Sequence, residues 1–313
     1  MTTTLLRACA LAFGLACTAC AIVTPAPDPP GPALPGVPAV QVYAVGDIAD
    51  CRHAPPERTA AARTAQLVPV GAMVLGLGDM AYEYADTSTL TACFEPTWGQ
   101  HRANLLAVPG NHDYVQDRAD DFLGYFGVRA NPQGFVAYER EIAPGWQLVA
   151  LDSNVSGDTL QRQYAWLQRT LDGSAARRDA ASGNCLLVLW HTPLFSSGWH
   201  RGSGAHMRPF WELLDAHGAD LVLSGHEHFY EAFEPMDAAG RRTAAGEGIR
   251  QFTVGTGGAT LHGFWRPPYA SRARVLSHGV LQLTLAADRY EWRFIDVAGR
   301  IRDAGSAICR RAP

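Results

Sequence analysis

The chain has 313 residues, 47% hydrophobic and 18% charged, with a formal net charge of −4. These values are ordinary for a folded soluble protein, of a length that allows one large α/β domain or two small ones. The mild negative charge makes no electrostatic case for a nucleic-acid partner, and none is expected. Lysine is absent, so every basic side chain is an arginine. The arginines are scattered rather than clustered, which reads as codon usage in a GC-rich genome rather than as a phosphate-binding patch.

Arg7 precedes an apolar run from Ala8 to Val23, rich in Ala, Leu and Cys. A short basic start, a short apolar core and small residues read as a secretion signal over residues 1–20. The run is too short, and too closely followed by prolines, to span a membrane. Its end, Leu15-Ala16-Cys17-Thr18-Ala19-Cys20, resembles a bacterial lipoprotein signal with Cys20 as the lipidated residue. Cys17 stands where that signal usually has Leu, and cleavage with release is the alternative. A secreted, periplasmic or cell-envelope protein is expected, with a possible lipid anchor to the membrane. Residues 24–38 carry seven prolines, so 21–39 is read as an extended linker and 40–313 as the folded domain.

Within that domain one pattern recurs: a short apolar run ends abruptly in Gly, Asp, Asn or His. Val40–Val45 precedes Gly46-Asp47. Ala72–Leu77 precedes Gly78-Asp79, and Leu105–Val108 precedes Pro109-Gly110-Asn111-His112. Leu148–Leu151 precedes Asp152, Leu186–Trp190 precedes His191, Leu221–Leu223 precedes Ser224-Gly225-His226, and Phe252–Val254 precedes Gly255. Continuous apolar runs of this length read as strands buried on both faces. Helices are expected over Pro56–Leu67, over Leu160–Leu171 with Leu160, Tyr164, Leu167 and Leu171 on one face, and over Met207–His217 with Phe210, Leu213 and Leu214 together. Alternating strands and helices argue for an α/β sheet sandwich. Val280–Leu285 and Tyr290–Val297 alternate with period two and read as an antiparallel hairpin turned near Ala287-Asp288-Arg289.

Four cysteines lie in this region, Cys51, Cys93, Cys185 and Cys309. An even count in an oxidising compartment suggests disulfides. Three pairings are possible. Cys51–Cys93 with Cys185–Cys309 is favoured, because each pair ties loops without crossing the strand-end motifs.

Polar groups at the carboxyl ends of strands are where open α/β sheets place their sites. Five blocks stand there: Gly46-Asp47, Gly78-Asp79-Met80-Ala81-Tyr82, Gly110-Asn111-His112-Asp113, His191-Thr192-Pro193 and Gly225-His226-Glu227-His228. Alone, a Gly-Asp is mostly a turn and a strand-end histidine mostly a satisfied loop residue. Two imidazoles two residues apart in an extended turn are stronger, because they can flank neighbouring metals. Five such blocks, each after an apolar run, point to a metal centre.

Over residues 40–300 these blocks resemble the calcineurin-like metallophosphoesterases, and within them the purple acid phosphatases. The usual first block is Asp-x-His; here Asp47-Ile48-Ala49 lacks the histidine, and Tyr82 lies three residues after Asp79. Purple acid phosphatases make that same exchange. The resemblance implies a four-layer αββα metallophosphoesterase fold with mixed sheets, and two metal ions. Asp47, Tyr82 and His228 would take one metal, Asn111, His191 and His226 the other, with Asp79 bridging. A phenolate suits Fe(III), and imidazole with amide suits a divalent Zn, Mn or Fe. The implied activity is hydrolysis of small phosphate monoesters by a metal-bound hydroxide, with a phosphodiesterase or nucleotidase as alternative and a non-catalytic surface protein as the third reading. His112 would face the phosphate or protonate the leaving oxygen, and Asp113 would orient it. His200, nine residues after His191, matches a substrate-facing histidine of the plant-type enzymes in spacing. His262, after the turn Gly255-Thr256-Gly257-Gly258, ranks below it, as do Arg201 and His206. His53 reads as a surface residue, and His101, His217 and His278 as structural. Tyr230 and Trp199 read as pocket lining or core.

Overall fold

A computed structural model describes residues 39–127, 130, 137–177, 185–200, 203–244, 246–266 and 270–310. The expected signal and almost all of the linker, with Cys17 and Cys20, lie outside the described residues, as does Arg201. Among the described residues no helix is long and apolar enough to cross a membrane.

The strands in chain order are β1 Val40–Val45, β2 Ala49–Asp50, β3 Met73–Gly76, β4 Ala81–Tyr82, β5 Leu105–Ala107, β6 Tyr138–Ala143, β7 Trp146–Ala150 and β8 Cys185–Leu189. They continue with β9 Leu221–Ser224, β10 Tyr230–Phe233, β11 Arg250–Val254, β12 Ser271–Val275, β13 Gly279–Ala286, β14 Arg289–Asp296 and β15 Ile301–Ile308. One sheet has the order β15-β14-β13-β1-β3-β5 and the other β12-β10-β11-β9-β8-β7-β6. β1, β3 and β5 run parallel, as do β7, β8, β9 and β11, while the outer strands pair antiparallel, so both sheets are mixed.

The expected apolar runs become these central strands. Every residue of Cys185–Leu189 is buried, as a strand covered on both faces requires. The inner faces meet in a core that joins Val42, Leu75 and Leu283 of one sheet to Leu148, Leu187 and Phe252 of the other. The helix Ala60–Ala65, the helical segment Leu90–Phe94 and the helix Asp120–Phe126 cover the outer face of the first sheet. The helices Gly157–Arg177 and Arg208–Ala216 cover the second, through Leu167, Leu171, Phe210 and Leu214. The result is the expected αββα sandwich.

The helix expected over Pro56–Leu67 is divided. A 3-10 turn over Pro56–Arg58 ends at Thr59, whose extended backbone and side chain cap a new helix by accepting the Ala62 N–H at 3.2 Å. The expected hairpin is β13–β14, closing at Ala286 opposite Arg289. Its partner β15 was not expected. Nor were the edge strands β6 and β12, whose mixed, partly exposed residues offer no continuous apolar run.

Both favoured disulfides are present, Cys51–Cys93 and Cys185–Cys309. Cys185 opens β8 and Cys309 follows β15, so that bond joins the two sheets at the amino end of β8, away from His191. The bonds span 42 and 124 residues, which in the chain-entropy description correspond to about 4 and about 5 kcal/mol of stabilisation. Replacing Cys185 and Cys309 together by Ala is expected to lower Tm by roughly 10 °C or more, and by more than the Cys51/Cys93 pair. Calorimetry of the two double variants measures both shifts.

Candidate metal centre

The carboxyl ends of both sheets meet along one seam. Asp47 follows β1, Asp79 follows β3 and Asn111 follows β5, while His191 follows β8 and His226 and His228 follow β9. The backbone ties this seam: Gly46 N–H donates to Val254 O at 2.9 Å and Asp47 N–H to Gly78 O at 3.0 Å. Asp47, Asp79 and His226 have φ of 58°, 52° and 69°, in the left-handed region that costs a residue with a side chain about 1–3 kcal/mol. Each follows a glycine, and in each the unusual backbone turns a donor side chain off the strand direction. Gly110 has a different task. A Cβ there would overlap the Asp79 carboxylate, so only glycine lets the β5 loop approach.

The donors converge in two groups. The Tyr82 hydroxyl donates toward Asp47 Oδ1 at 2.9 Å and Asp79 Oδ2 at 3.0 Å, and lies 3.2 Å from His228 Nε2. Asn111 Oδ1 lies 3.1 Å from His191 Nε2 and 2.9 Å from His226 Nδ1, and those two ring nitrogens are 3.2 Å apart. Asp79 Oδ2 is also 3.4 Å from His191 Nε2, so this one oxygen touches both groups. The sequence-expected ligands are therefore all brought together.

Backbone carbonyls set the imidazoles. His191 Nδ1 donates to Leu77 O and His228 Nδ1 to Thr260 O, both at 2.7 Å. With Nδ1–H committed, the Nε2 lone pair of each ring is directed into the cluster, the tautomer a metal requires. Ligand atoms of Asp47, Asp79 and His191 lie within 4.8 Å of one another, and all three residues are buried. Two carboxylates, an amide oxygen, a phenol and three imidazoles converging at these distances form a donor set that fits cations.

The charge pattern agrees. Burial alone would lower His191, but the charge and hydrogen bond of Asp79, with the charge of Asp47, raise it to about 9. Burial and the neighbouring His191 push His226 down to about 3. Burial would raise Asp79, yet His191 and His112 together hold it below the usual carboxylate range. Burial and then the charges of Asp47 and Asp79 push the Tyr82 phenol well above its ordinary value. Without cations, a protonated His191 offsets part of the buried negative charge, and the Tyr82 phenol stays neutral.

One expectation changes. Asp113 does not orient His112. Its Oδ2 accepts the N–H groups of Asp79 and Gly110, both at 2.7 Å, and its Oδ1 accepts that of Met80 at 3.0 Å. Both oxygens are used by backbone, and the residue is fully buried, so it clamps the β3 and β5 loops together. The His112 ring instead bonds Glu83 O through Nδ1 at 2.5 Å, and its backbone N–H donates to Asp79 Oδ1 at 2.8 Å.

His200 reaches the rim. Its ring lies 4.5 Å from that of His226, and its Nδ1 is 3.3 Å from Glu227 Oε2. His262 stacks on His228 at 4.4 Å. His206 is used elsewhere, 2.7 Å from Ser153 O. His101 and His278 bond the backbone oxygens of Ala65 and Ala259, while His217 bonds the Leu213 carbonyl and lies 3.1 Å from Asp172. His53 is exposed, and Tyr230 is core, bonded to Asp303. Glu227 was missed. It is fully buried between the two ligand histidines and holds both Ser196 and His200. Its place within Gly225-His226-Glu227-His228 was the available signal.

Residues 40–230 match the family model described as calcineurin-like phosphoesterase. The chain is 28% identical over 201 residues to purple acid phosphatase 21 of Arabidopsis thaliana, covering 58% of this chain and 42% of that protein. It is 35% identical over 147 residues to an acid phosphatase of Aspergillus ficuum, covering 44% of this chain and 22% of that one. The chain thus spans less than half the length of these curated relatives. The fold is shared with the purple acid phosphatase PPD1 from yellow lupin seeds, at a TM-score of 0.66 and 16% identity over 88% of this chain and 54% of that one. It is shared equally with GAP50 of Plasmodium, whose structure is described as the anchor in the inner membrane complex, at a TM-score of 0.65, 14% identity, and coverage of 88% and 90%. With the family model spanning both sheets' strand-end motifs from Asp47 to His228, this chain belongs to the calcineurin-like phosphoesterase family.

Proposed function

We propose that this protein is a dinuclear-metal phosphatase hydrolysing small phosphate monoesters outside the cytoplasm. The observation that carries the reading is the place of Asp79 Oδ2, within 3.0 Å of Tyr82 and 3.4 Å of His191. That oxygen is where a bridging ligand between two cations belongs. Asp47, Tyr82 and His228 would hold one ion, and Asn111, His191 and His226 the other. Phenolate with carboxylate suits Fe(III), and imidazole with amide suits Zn, Mn or Fe(II). A bound pair of this kind supplies a nucleophilic water near neutral pH and neutralises phosphate oxygens.

The chain's own groups do the rest. His112, with Nδ1–H given to the Glu83 carbonyl, keeps Nε2 for the phosphate or the leaving oxygen. Glu227 fixes His200 beside His226, so an imidazole from a second loop stands at the same rim. Asp113 acts only by positioning loops. The apolar N-terminal run and the two disulfides support an oxidising, extracytoplasmic location, with Cys20 the residue for a lipid tether.

The purified protein, loaded with iron and zinc, is expected to hold two metals per chain and to show a visible charge-transfer band. It should cleave p-nitrophenyl phosphate faster than its bis-ester. A colourless active protein with two divalent ions would overturn the Fe(III)–Tyr82 assignment, and a fully metallated protein without hydrolysis would overturn the phosphatase. Asp79→Asn should lose both metals together; normal metal content in that variant would sink the bridge.

His112→Ala should lower kcat by about 10²- to 10⁴-fold while metal analysis stays unchanged. Because the His191 imidazole sits near pKa 9 without metal, protons compete with cations below that pH. The apparent affinity for the divalent ion of the Asn111, His191 and His226 group, measured by chelator competition between about pH 6 and 8, should therefore rise with pH, by up to about tenfold per unit.

A further inference from the structure

Trp98, Trp146, Trp190, Trp211 and Trp292 are buried, as an aromatic core predicts. Trp199 and Trp265 are 57% and 66% exposed, and they touch each other edge to face at 4.6 Å. An exposed pair of large aromatics at one place is unusual for a surface and calls for a ligand or partner.

The two loops that carry the pair also carry histidines that pack on the metal centre. Trp199 adjoins His200, which packs on His226; Trp265 lies three residues after His262, which stacks on His228. The two loops are joined by backbone, with the N–H groups of Trp265 and Arg266 donating to Ser197 O at 2.9 and 3.1 Å. Buried carboxylates hold the first loop. Ser196 Oγ donates to Glu227 Oε1 at 2.8 Å, and Ser197 bonds Glu231 through both its N–H, at 3.0 Å, and its hydroxyl. A Cβ at Gly198 would overlap the Glu227 carboxylate, so the loop is pressed against its support. The second loop is anchored by Phe264, which packs on Phe229 at 4.5 Å and under the Arg274 guanidinium at 4.8 Å. Gly198, Trp199, Trp265 and Arg266 line a cleft of about 690 Å³.

We infer that Trp199 and Trp265 form a stacking platform for the leaving group of the ester, selecting substrates that carry a planar ring. This rests on the phosphatase reading. A phosphate held beside His200 and His226 would place its ester substituent along this rim, and a T-shaped pair leaves indole face open to a flat partner. Simple aryl phosphates and nucleoside monophosphates share that chemistry. The indoles are specificity determinants rather than groups acting on the phosphorus. Two buried glutamates hold the loop that carries Trp199, which limits the entropy lost on stacking.

The test uses the full metallated protein with phenyl phosphate, AMP and glycerol 3-phosphate. Trp199→Ala and Trp265→Ala should each reduce the ratio of kcat/KM for a ring-bearing ester over glycerol 3-phosphate by roughly tenfold, mainly through KM, with metal content retained. Trp199→Phe should restore most of the ratio. Intrinsic tryptophan fluorescence gives a second readout that does not depend on turnover: saturable quenching by AMP or phenyl phosphate, not by glycerol 3-phosphate, reduced in both alanine variants. Quenching by AMP alone would assign the nucleobase as the ring, and by phenyl phosphate alone a simple aryl group. An unchanged ratio in the variants, or quenching that ignores both indoles, overturns the platform. Hydrolysis that persists in that case leaves the phosphatase standing, while ring-selective quenching without hydrolysis upholds the platform and removes the phosphatase.

Discussion

The carboxylate of Asp79 is a charge placed where two apolar sheets close over it, and almost everything near it exists to make that tolerable. An ionised carboxylate stripped of water is strongly unfavourable unless paired and hydrogen-bonded. Asp79 meets the requirement from three directions: the His112 N–H on Oδ1, the Tyr82 hydroxyl on Oδ2, and the His191 imidazole beyond it. These partners come from the β5 loop, the β3 loop and the other sheet. The carboxylate therefore holds the two sheets in register at their carboxyl ends as well as offering itself to cations.

That arrangement needs support behind it. Asp113, fully buried, gathers the N–H groups of Asp79, Met80 and Gly110 and so determines where the Asp79 side chain begins. Leu77 O and Thr260 O select the tautomers of His191 and His228. The left-handed backbones of Asp47, Asp79 and His226 store strain at three donors, and the surrounding hydrogen bonds keep it from relaxing. A site with donors fixed in this way is ready for cations without rearrangement, which is how a metal site gains affinity and geometry together.

The same scaffold serves different ends among its structural neighbours, from a purple acid phosphatase to a protein described as an anchor. Fold alone therefore decides little about activity. What bears on activity in this chain is the set of donors in contact distance, together with rim histidines and an exposed indole pair on loops braced by buried Glu227 and Glu231. On the proposed reading, the rim is where substrates of one metal core would be told apart, because the core itself would meet only phosphate.

The strand-end motifs were legible because their signal is local. A buried strand must be continuously apolar, and its abrupt end in Gly-Asp, Gly-Asn-His or Gly-His-Glu-His is visible in consecutive residues. The hairpin β13–β14 was legible in its period-two pattern, and the cysteine count signalled two disulfides while leaving three pairings open. Edge strands β6, β12 and β15 were not, since a half-solvated edge has no continuous apolar run to read. The role of Asp113 was misjudged because adjacency in sequence to His112 suggested a contact, whereas the short helical turn over Asn111–Asp113 directs that carboxylate to the backbone of the β3 loop. Residue types and their order along the chain thus determined which side chains are candidates to bind metal. Only tertiary structure decided which atoms share Asp79, which carbonyl fixes each imidazole, and that Trp199 meets Trp265 across 66 positions of sequence, because those contacts depend on two sheets closing face to face.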